Sequence, residues 1–408
     1  MDDKDRGIGK QSFFVLLTEL VSGSLAYIYH IVMGRMLSVE EYAVLATIIS
    51  LFYILSVPSA AIQTTIAKFV SQFKAKEENE KISSLLSKSF KKLFLIALIL
   101  AFLLVIFTPI ISNFLHISSP IPFLILSVIV FYSFLLPIAV GAIQGLQKFN
   151  YYNLNALTFS SSKLVFAAIL VLLGFGVAGA LFAFVLAALA GAAILLYGLR
   201  NYLKRIKTSV FAKEIYLYSF PALIILFCLM IFFNIDLILV KHFFSPYEAG
   251  NYAVASVLGK VMFFGSTAIA MVLFPKASQL NAAKKSSLGL LKKSLLYVFI
   301  FSFLVFIAYW FFPSFIINLL LGPKYPVAIQ LLPLFGLTMF FFSFCNLITY
   351  YNLAIQNKRI IFPMIFFAVM EIILLILFHS TLFTVIHVLL WTIALLFLTL
   401  LIELILLK

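Results

Sequence analysis

Long apolar runs separated by short polar stretches make up almost the whole chain. Twelve runs are long enough to cross a bilayer as α-helices, which need about 20 consecutive apolar residues each. The pattern therefore predicts an all-α integral membrane protein with about twelve transmembrane helices. The predicted spans cover approximately residues 12–34, 43–66, 93–115, 121–143, 156–174, 177–199, 216–240, 249–273, 295–317, 327–350, 360–379 and 384–406.

Two of the polar joints between spans carry the same pattern. Arg35–Ala43 reads RMLSVEEYA, and His242–Ala253 reads HFFSPYEAGNYA. In each joint a Ser is followed three residues later by a Glu, which is the signature of a capping box at a helix N-terminus. The two predicted boxes are Ser38 with Glu41 and Ser245 with Glu248.

The echo extends along the chain and indicates a duplication. Lys68-Phe-Val-Ser71-Gln72 is matched by Lys276-Ala-Ser278-Gln279, and Ala142-Ile143-Gln144 by Ala354-Ile355-Gln356. We therefore predict two domains, residues 1–207 and 208–408, with six helices each. Because six is even, both halves enter the membrane from the same side. They are then parallel bundles related by a pseudo-two-fold axis along the membrane normal, with a candidate site between them near mid-bilayer.

Composition and charge agree with a membrane location. The chain is 64% hydrophobic and 11% charged, which no soluble domain of 408 residues accommodates. Of its 29 Lys and Arg residues, 24 fall in one alternating set of loops or termini. The positive-inside rule then places both termini in the cytoplasm of a multi-pass plasma-membrane protein. The net charge of +15 fits anionic lipid headgroups, and we expect no nucleic-acid partner.

The small motifs along the chain resemble those of one transporter family. They are Gly34-Arg35-x-Leu37-Ser-x-Glu-Glu41-Tyr42, Ser219-Phe-Pro221, Asp236 followed by Ser245-x-x-Glu248-Ala-Gly250-x-Tyr252-x-x-Ala255, and Leu273-Phe-Pro275. This profile resembles the Wzx-type polysaccharide flippases of the multidrug/oligosaccharidyl-lipid/polysaccharide (MOP) exporter superfamily.

The resemblance implies a function. It implies two six-helix bundles that open alternately to each side, and a polyprenyl- or dolichyl-diphosphate-linked oligosaccharide as cargo. The cargo would move from the cytoplasmic to the outer leaflet for cell-surface polysaccharide biosynthesis. Expected partners are membrane lipids and the glycosyltransferases and polymerase of the same pathway, with the protein itself monomeric.

Charged residues within the spans are the candidate binding groups, because each costs about 2.5–3.5 kcal/mol to insert on translocon scales. Lys163 and Lys260 each lie on a helical face with small or hydroxyl residues, which suits a water-filled cavity. We predict that they bind the diphosphate, and that Arg35 guides it at the outer end of the first span. Alternatively, the two lysines neutralise nearby carboxylates or extend to the interface, and Arg35 anchors there or pairs with Glu40.

Three acids lie within the spans, and two of them, Glu19 and Asp236, are candidates for ion coupling or gating. Glu19 lies on a polar stripe of the first span, where it either binds a driving proton or cation or bonds to a neighbouring helix. Asp236 lies at the depth of Lys260 in the next span, so the two are expected to pair, either structurally or as a cargo-sensitive gate. Glu371 has no polar stripe and is predicted to be a structural partner.

Other function classes lack their sequence signals. Gly174-Phe-Gly176-Val-Ala-Gly179 falls between two spans without the strand that a dinucleotide site requires. There is no P-loop motif and no Cys/His cluster at metal-ligand spacing, so we predict no catalytic residue, no cofactor and no metal. An ion-coupled multidrug exporter remains the alternative to the flippase. A glycan polymerase is disfavoured because the outer loops carry few acids beyond those in the capping boxes.

Overall fold

The structure, a computed structural model, describes residues 3–202 and 220–406, without the side chains of residues 3–13, 16, 220, 282 and 406. All regular structure in these residues is helical, which confirms the predicted all-α fold class. The helices are α1 (Asp3–Met36), α2 (Val39–Leu55), α3 (Val57–Ala75), α4 (Asn79–Phe114), α5 (Ile121–Gly145), α6 (Phe149–Leu170), α7 (Gly176–Leu199), α8 (Phe220–Phe243), α9 (Pro246–Gly259), α10 (Val261–Ala282), α11 (Leu288–Phe311), α12 (Pro313–Leu321), α13 (Pro326–Ala354), α14 (Ile361–Leu377) and α15 (Leu382–Leu406).

The described helices are membrane helices by length and composition. Nine are long and apolar enough to cross a bilayer, and α2 with α3 adds a tenth span that bends by 43°. The longest of the nine, residues 149–202, consists of α6 and α7, which pack against each other. The chain turns between them at Gly174 and Gly176, whose φ angles of 88° and 50° favour glycine.

The chain forms two compact units. The first unit contains the described residues up to Glu41 and those from Leu55 to Tyr202. The second contains Tyr42–Ile54 together with the described residues from Phe220 onward. Most of α2 thus belongs to the second unit, where Tyr42 is buried against Tyr325 with ring centroids 6.3 Å apart. The predicted boundary at residues 207 and 208 lies outside the described residues, and the two-domain division there stays a prediction.

Both predicted capping boxes are present. The Glu41 N–H donates to Ser38 Oγ at 3.1 Å, and the Ser38 N–H donates to the Glu41 carboxylate at 3.0 Å. The second box, at the start of α9, makes the same two bonds between Ser245 and Glu248, at 3.3 and 3.1 Å. Each box satisfies two N–H groups that a helix N-terminus leaves without an intrahelical partner.

The first unit packs tightly where α3 meets α5. A Cβ at Gly141 would lie 2.4 Å from the Gln63 carbonyl oxygen, and one at Gly145 would lie 2.6 Å from that of Ala67. Small residues four apart let membrane helices approach this closely. At the same end of the unit, Ile82 and Leu86 of α4 are fully buried with Leu199 of α7 in one apolar cluster. The ends of α3, α5 and α7 therefore meet on a packed base.

The duplication is visible in the backbone of each unit. The second residue after α3 and after α10 has a left-handed φ, 60° at Glu77 and 54° at Lys284. The second residue after α5 and after α13 does too, with 57° at Gln147 and 58° at Gln356. The sequence match of Ala142-Ile143-Gln144 with Ala354-Ile355-Gln356 was therefore out of register, because Gln147 and not Gln144 takes the position of Gln356.

Candidate substrate and ion sites

Lys163 is enclosed by aromatic rings in the first unit. Its side chain is only 6% exposed, so it does not face lipid. The Nζ atom lies 4.9 Å from the ring centroids of Tyr29 and Phe184 and 5.9 Å from that of Phe159. Ring faces attract a cation by their quadrupole, by about 2 kcal/mol or more when water is excluded. α1, α6 and α7 thus form an aromatic cage around this ammonium group.

The cage is itself anchored. The Tyr29 hydroxyl donates to the Ala180 carbonyl of α7 at 3.1 Å, and the Tyr29 ring meets Phe184 edge-on with centroids 5.5 Å apart. Among the described residues no carboxylate lies within ion-pair distance of Lys163. Among the described residues its charge is stabilised by π faces, and this leaves its N–H donors available to an anionic ligand.

Lys260 lies in a different environment in the second unit. It occupies the break between α9 and α10, is 5% exposed, and has its Nζ 4.6 Å from the Phe233 ring centroid. Asp236 is close enough for its charge to act on Lys260. No salt bridge joins them in the part of the chain that is described, so the predicted direct pairing is replaced by a longer-range attraction.

Asp236 forms the centre of a buried acidic cluster. One of its carboxylate oxygens accepts from the Tyr252 hydroxyl at 3.0 Å and from Ser256 Oγ at 3.4 Å. Its other oxygen is buried and receives no hydrogen bond from the described residues. Glu371 of α14 is fully buried nearby, and neither of its carboxyl oxygens receives a hydrogen bond from these residues either. The two buried acids thus have three oxygens that receive no hydrogen bond from the described residues, and such oxygens can bind a proton or a cation.

The proximity of Glu371 to Asp236 was not predicted from the sequence. Periodicity along α14 places no polar neighbour beside it, and the helix predicted only a structural acid. The structure brings it together with Asp236 and Tyr252, which come from helices distant in sequence. The available signal was that a bilayer-spanning helix carries a carboxyl group at all, because such groups mark ion pathways by default.

Glu19 is hydrogen-bonded to a neighbouring helix, which is one of the two interpretations that the sequence allowed. Its carboxylate accepts from the Tyr152 hydroxyl of α6. Tyr152 also interacts with Gln144 of α5, which in turn accepts from the Gln63 amide at 3.1 Å. This polar chain links α1, α3, α5 and α6 within the first unit.

The remaining predicted site residues occupy separate positions within their own units. Arg35 is exposed in the last turn of α1. Tyr152 and Lys163 are eleven residues apart on α6, which is about 16 Å along the helix at 1.5 Å per residue, so Glu19 does not touch the Lys163 cage. Lys163 belongs to the first unit, and Lys260 with Asp236 to the second. Among the described residues no three His, Cys, Asp or Glu side chains are grouped for a metal ion.

The amino-acid sequence is similar to those of known proteins. A family model described as "Polysaccharide biosynthesis protein" matches residues 8–281. An uncharacterized membrane protein of Methanocaldococcus jannaschii is 25% identical over 384 residues, which cover 90% of this chain and 89% of that protein.

Solved structures share the fold. The lipid II flippase MurJ in an inward closed conformation has a TM-score of 0.75 at 18% identity, covering 96% of this chain and 87% of MurJ. An inward-facing multidrug resistance MATE family transporter of the MOP superfamily has a TM-score of 0.74 at 14% identity, covering 92% and 94%. A MOP superfamily transporter from Pyrococcus furiosus, described as having a binding pocket of reverse polarity, has a TM-score of 0.63 at 16% identity, covering 97% of this chain and 95% of that protein.

Proposed function

The chain belongs to the polysaccharide biosynthesis protein family, and from that premise we propose that it moves a polyprenyl- or dolichyl-diphosphate-linked oligosaccharide from the cytoplasmic to the outer leaflet by alternating access. It is a multi-pass membrane protein of the MOP flippase type and not an enzyme. The cargo and the direction of transport are the proposed part. They follow the family description and the charge of the buried sites.

Two buried lysines carry the proposal. Lys163 and Lys260 are each almost completely buried, and neither has a carboxylate of the described residues within ion-pair distance. A membrane protein retains such costly groups for a functional reason. A lipid diphosphate carries about two negative charges, and a lysine ammonium is a suitable point-charge partner for phosphate. We propose that each lysine binds a phosphate group of the cargo, and that Arg35 receives it at the outer end of α1.

The acidic cluster supports ion coupling. In this proposal Asp236 and Glu371 hold a proton or a monovalent cation, and its release leaves negative charge next to Lys260. That charge competes with the cargo phosphate for the lysine, so ion occupancy and cargo occupancy are linked. Glu19 is a weaker candidate for the same role, because Tyr152 already occupies one of its oxygens.

The orientation and setting are part of the proposal. The excess of Lys and Arg in one set of loops places both termini in the cytoplasm, and a plasma-membrane location brings the protein to the glycosyltransferases and polymerase of its pathway. A single copy of the chain is expected to suffice, since the two repeats are present in one polypeptide.

Reconstitution tests the proposal. The purified full chain is placed in vesicles with lipid-linked oligosaccharides extracted from native membranes, and lectin binding reports the glycan fraction that changes leaflet. Vesicles with the protein should exchange this fraction faster than protein-free vesicles. The same vesicles are loaded with a cationic dye. Dye movement without glycan movement would replace the flippase by the multidrug exporter.

A further inference from the structure

In each unit the ends of two helices lie next to each other, and we call this region the joint of that unit. The two joints have the same backbone but different side chains. In the first unit the joint follows α3 and α5, and in the second it follows α10 and α13. The Glu78 N–H donates to the Phe73 carbonyl at 2.9 Å, and the Lys285 N–H donates to the Leu280 carbonyl at the same distance. This correspondence places Lys74 of the first joint opposite Asn281 of the second.

The other half of the joint corresponds in the same way. The Lys148 N–H donates to the Ile143 carbonyl at 3.0 Å, and the Asn357 N–H donates to the Asn352 carbonyl at 2.9 Å. Lys148 therefore takes the position of Asn357. At both corresponding positions the first unit has a lysine where the second unit has an asparagine.

The second joint shows that a neutral donor is sufficient for structure. Lys74 Nζ donates to the Leu146 carbonyl at the end of α5, at 2.5 Å. The Asn281 amide donates to the corresponding Ile355 carbonyl at the end of α13, at 3.3 Å. Closing the helix end thus requires an N–H donor and no positive charge, so the lysine charge in the first joint needs a different explanation.

Three cations converge in the first joint. Lys148 Nζ donates to the Gly198 carbonyl at 2.6 Å and lies 5.4 Å from the Tyr202 ring centroid. Arg200 is stacked on Tyr197, with its guanidinium carbon 4.3 Å from the ring centroid. Burial lowers the pKa of Lys148, and the neighbouring charges of Lys74 and Arg200 lower it further. Lys148 is therefore close enough to Lys74 and Arg200 for both charges to act on it.

No carboxylate of the described residues lies within ion-pair distance of any of these three cations, although Glu77 and Glu78 follow α3 in the same joint. The ends of α3, α5 and α7 supply about −0.5 charge each from their helix dipoles, which offsets about half of the three positive charges. The second joint also carries exposed cations, Lys284, Lys285, Lys358 and Arg359. The two joints therefore differ in the lysines that donate to helix-end carbonyls, which among the described residues only the first joint has.

We propose that Lys74, Lys148 and Arg200 form a binding site for the phosphate group of a membrane lipid. The lysines are fixed by the helix-end carbonyls, Tyr197 and Arg200 are exposed beside them, and no described carboxylate is paired with the three cations. The phosphate belongs either to an anionic phospholipid or to the lipid diphosphate cargo before it reaches the buried lysines. The site does not depend on Lys163 or Lys260.

Native mass spectrometry of the purified full chain tests this site. The protein is titrated separately with phosphatidylglycerol, phosphatidylcholine, dolichyl diphosphate and inorganic phosphate. The variant K74N/K148N copies the side chains of the second joint, so it keeps amide donors and loses two charges. We expect its affinity for the bound phosphate compound to fall at least about tenfold, because a charge-assisted hydrogen bond contributes roughly 1.5–3 kcal/mol and 1.4 kcal/mol is tenfold in affinity.

Matched variants make the outcome decisive. K284N/K285N also removes two cations but from the rim of the second joint, and it should bind as the wild type does. R200Q leaves both lysine bonds intact and serves if K74N/K148N does not fold; it should also weaken binding. If the wild type retains phosphatidylglycerol alone, the ligand is the phospholipid. If it retains dolichyl diphosphate alone, the ligand is the cargo. Equal binding by K74N/K148N, R200Q and wild type, or equal loss in K284N/K285N, would overturn the proposal.

Discussion

The two buried lysines differ in what surrounds them. Lys163 is held by the rings of Tyr29 and Phe184, with no acid of the described residues at ion-pair distance. Lys260 has one ring below it and the charge of Asp236 within reach. The environment of Lys163 is set by aromatic rings, and that of Lys260 also by the charge of Asp236. Substitutions at the two sites should therefore have different effects on stability.

The largest expected effect comes from removing the acid beside Lys260. Asp236→Ala leaves a buried lysine without its compensating charge, and such losses cost about 3–5 kcal/mol. The midpoint of thermal unfolding in detergent should fall accordingly. Glu19→Ala is the matched acid substitution in the first unit and should cost only about 1 kcal/mol, because it removes one hydrogen bond at a partly exposed position. An equal fall of the unfolding midpoint in Asp236→Ala and Glu19→Ala would contradict the proposed difference between these two acids.

The lysines themselves should respond in opposite ways. Lys163→Met replaces a desolvated cation by an apolar chain of similar length among aromatic rings, so unfolding stability should rise or change by less than about 1 kcal/mol. Lys260→Met leaves Asp236 and Glu371 without a nearby cation and should destabilise the protein by about 2–4 kcal/mol. Thermal unfolding of the two single variants measures both effects. A larger loss for Lys163→Met would contradict the cage description.

The rings of the cage contribute a smaller term. Phe184→Leu removes one π face from Lys163 and should lower the free energy of unfolding by about 1–2 kcal/mol. Phe159→Leu removes the more distant ring, at 5.9 Å, and should cost less. If cation–π attraction is the cause, the Phe184→Leu effect should shrink in the Lys163→Met background, and this double-mutant cycle separates it from ordinary packing loss.

The smallest effect is expected where the two units are alike. Ser38→Ala and Ser245→Ala each delete one capping box and should cost about 0.5–2 kcal/mol. Ser245→Ala should cost more than Ser38→Ala, because Ser245 Oγ also donates to the Glu248 carboxylate at 2.7 Å. Chemical denaturation of the two variants checks this. A larger loss of unfolding free energy for Ser38→Ala would contradict it.

Local features were predictable from the sequence. The apolar spans, both capping boxes, the burial of Lys163 and Lys260 and the duplication follow from patterns within about seven residues or from direct repetition. These are properties of helix periodicity and capping, which act at short range.

Features that depend on contacts between distant segments were not predictable. The cage needs Tyr29 and Phe184 on either side of α6, and nothing in the sequence of α6 specifies which rings face it. The grouping of Glu371 with Asp236 depends on how α14 is rotated against α8, and the apolar helix α14 carries little periodic signal. The correct register of the repeat was not predicted, because Gln144, which lies only three residues before Gln147, is also a glutamine. Only the left-handed φ shared by Gln147 and Gln356 shows that these two residues correspond.

The central claim is that the two buried lysines bind the cargo diphosphate. The direct measurement is leaflet exchange of dolichyl-diphosphate oligosaccharide in vesicles containing the Lys163→Met/Lys260→Met variant, with K284N/K285N as the variant of equal charge change. Two lost charge-assisted contacts of about 1.5–3 kcal/mol each predict a fall of at least about 100-fold in the double lysine variant, and none in the control. Exchange at the wild-type rate in a correctly folded double variant contradicts the claim.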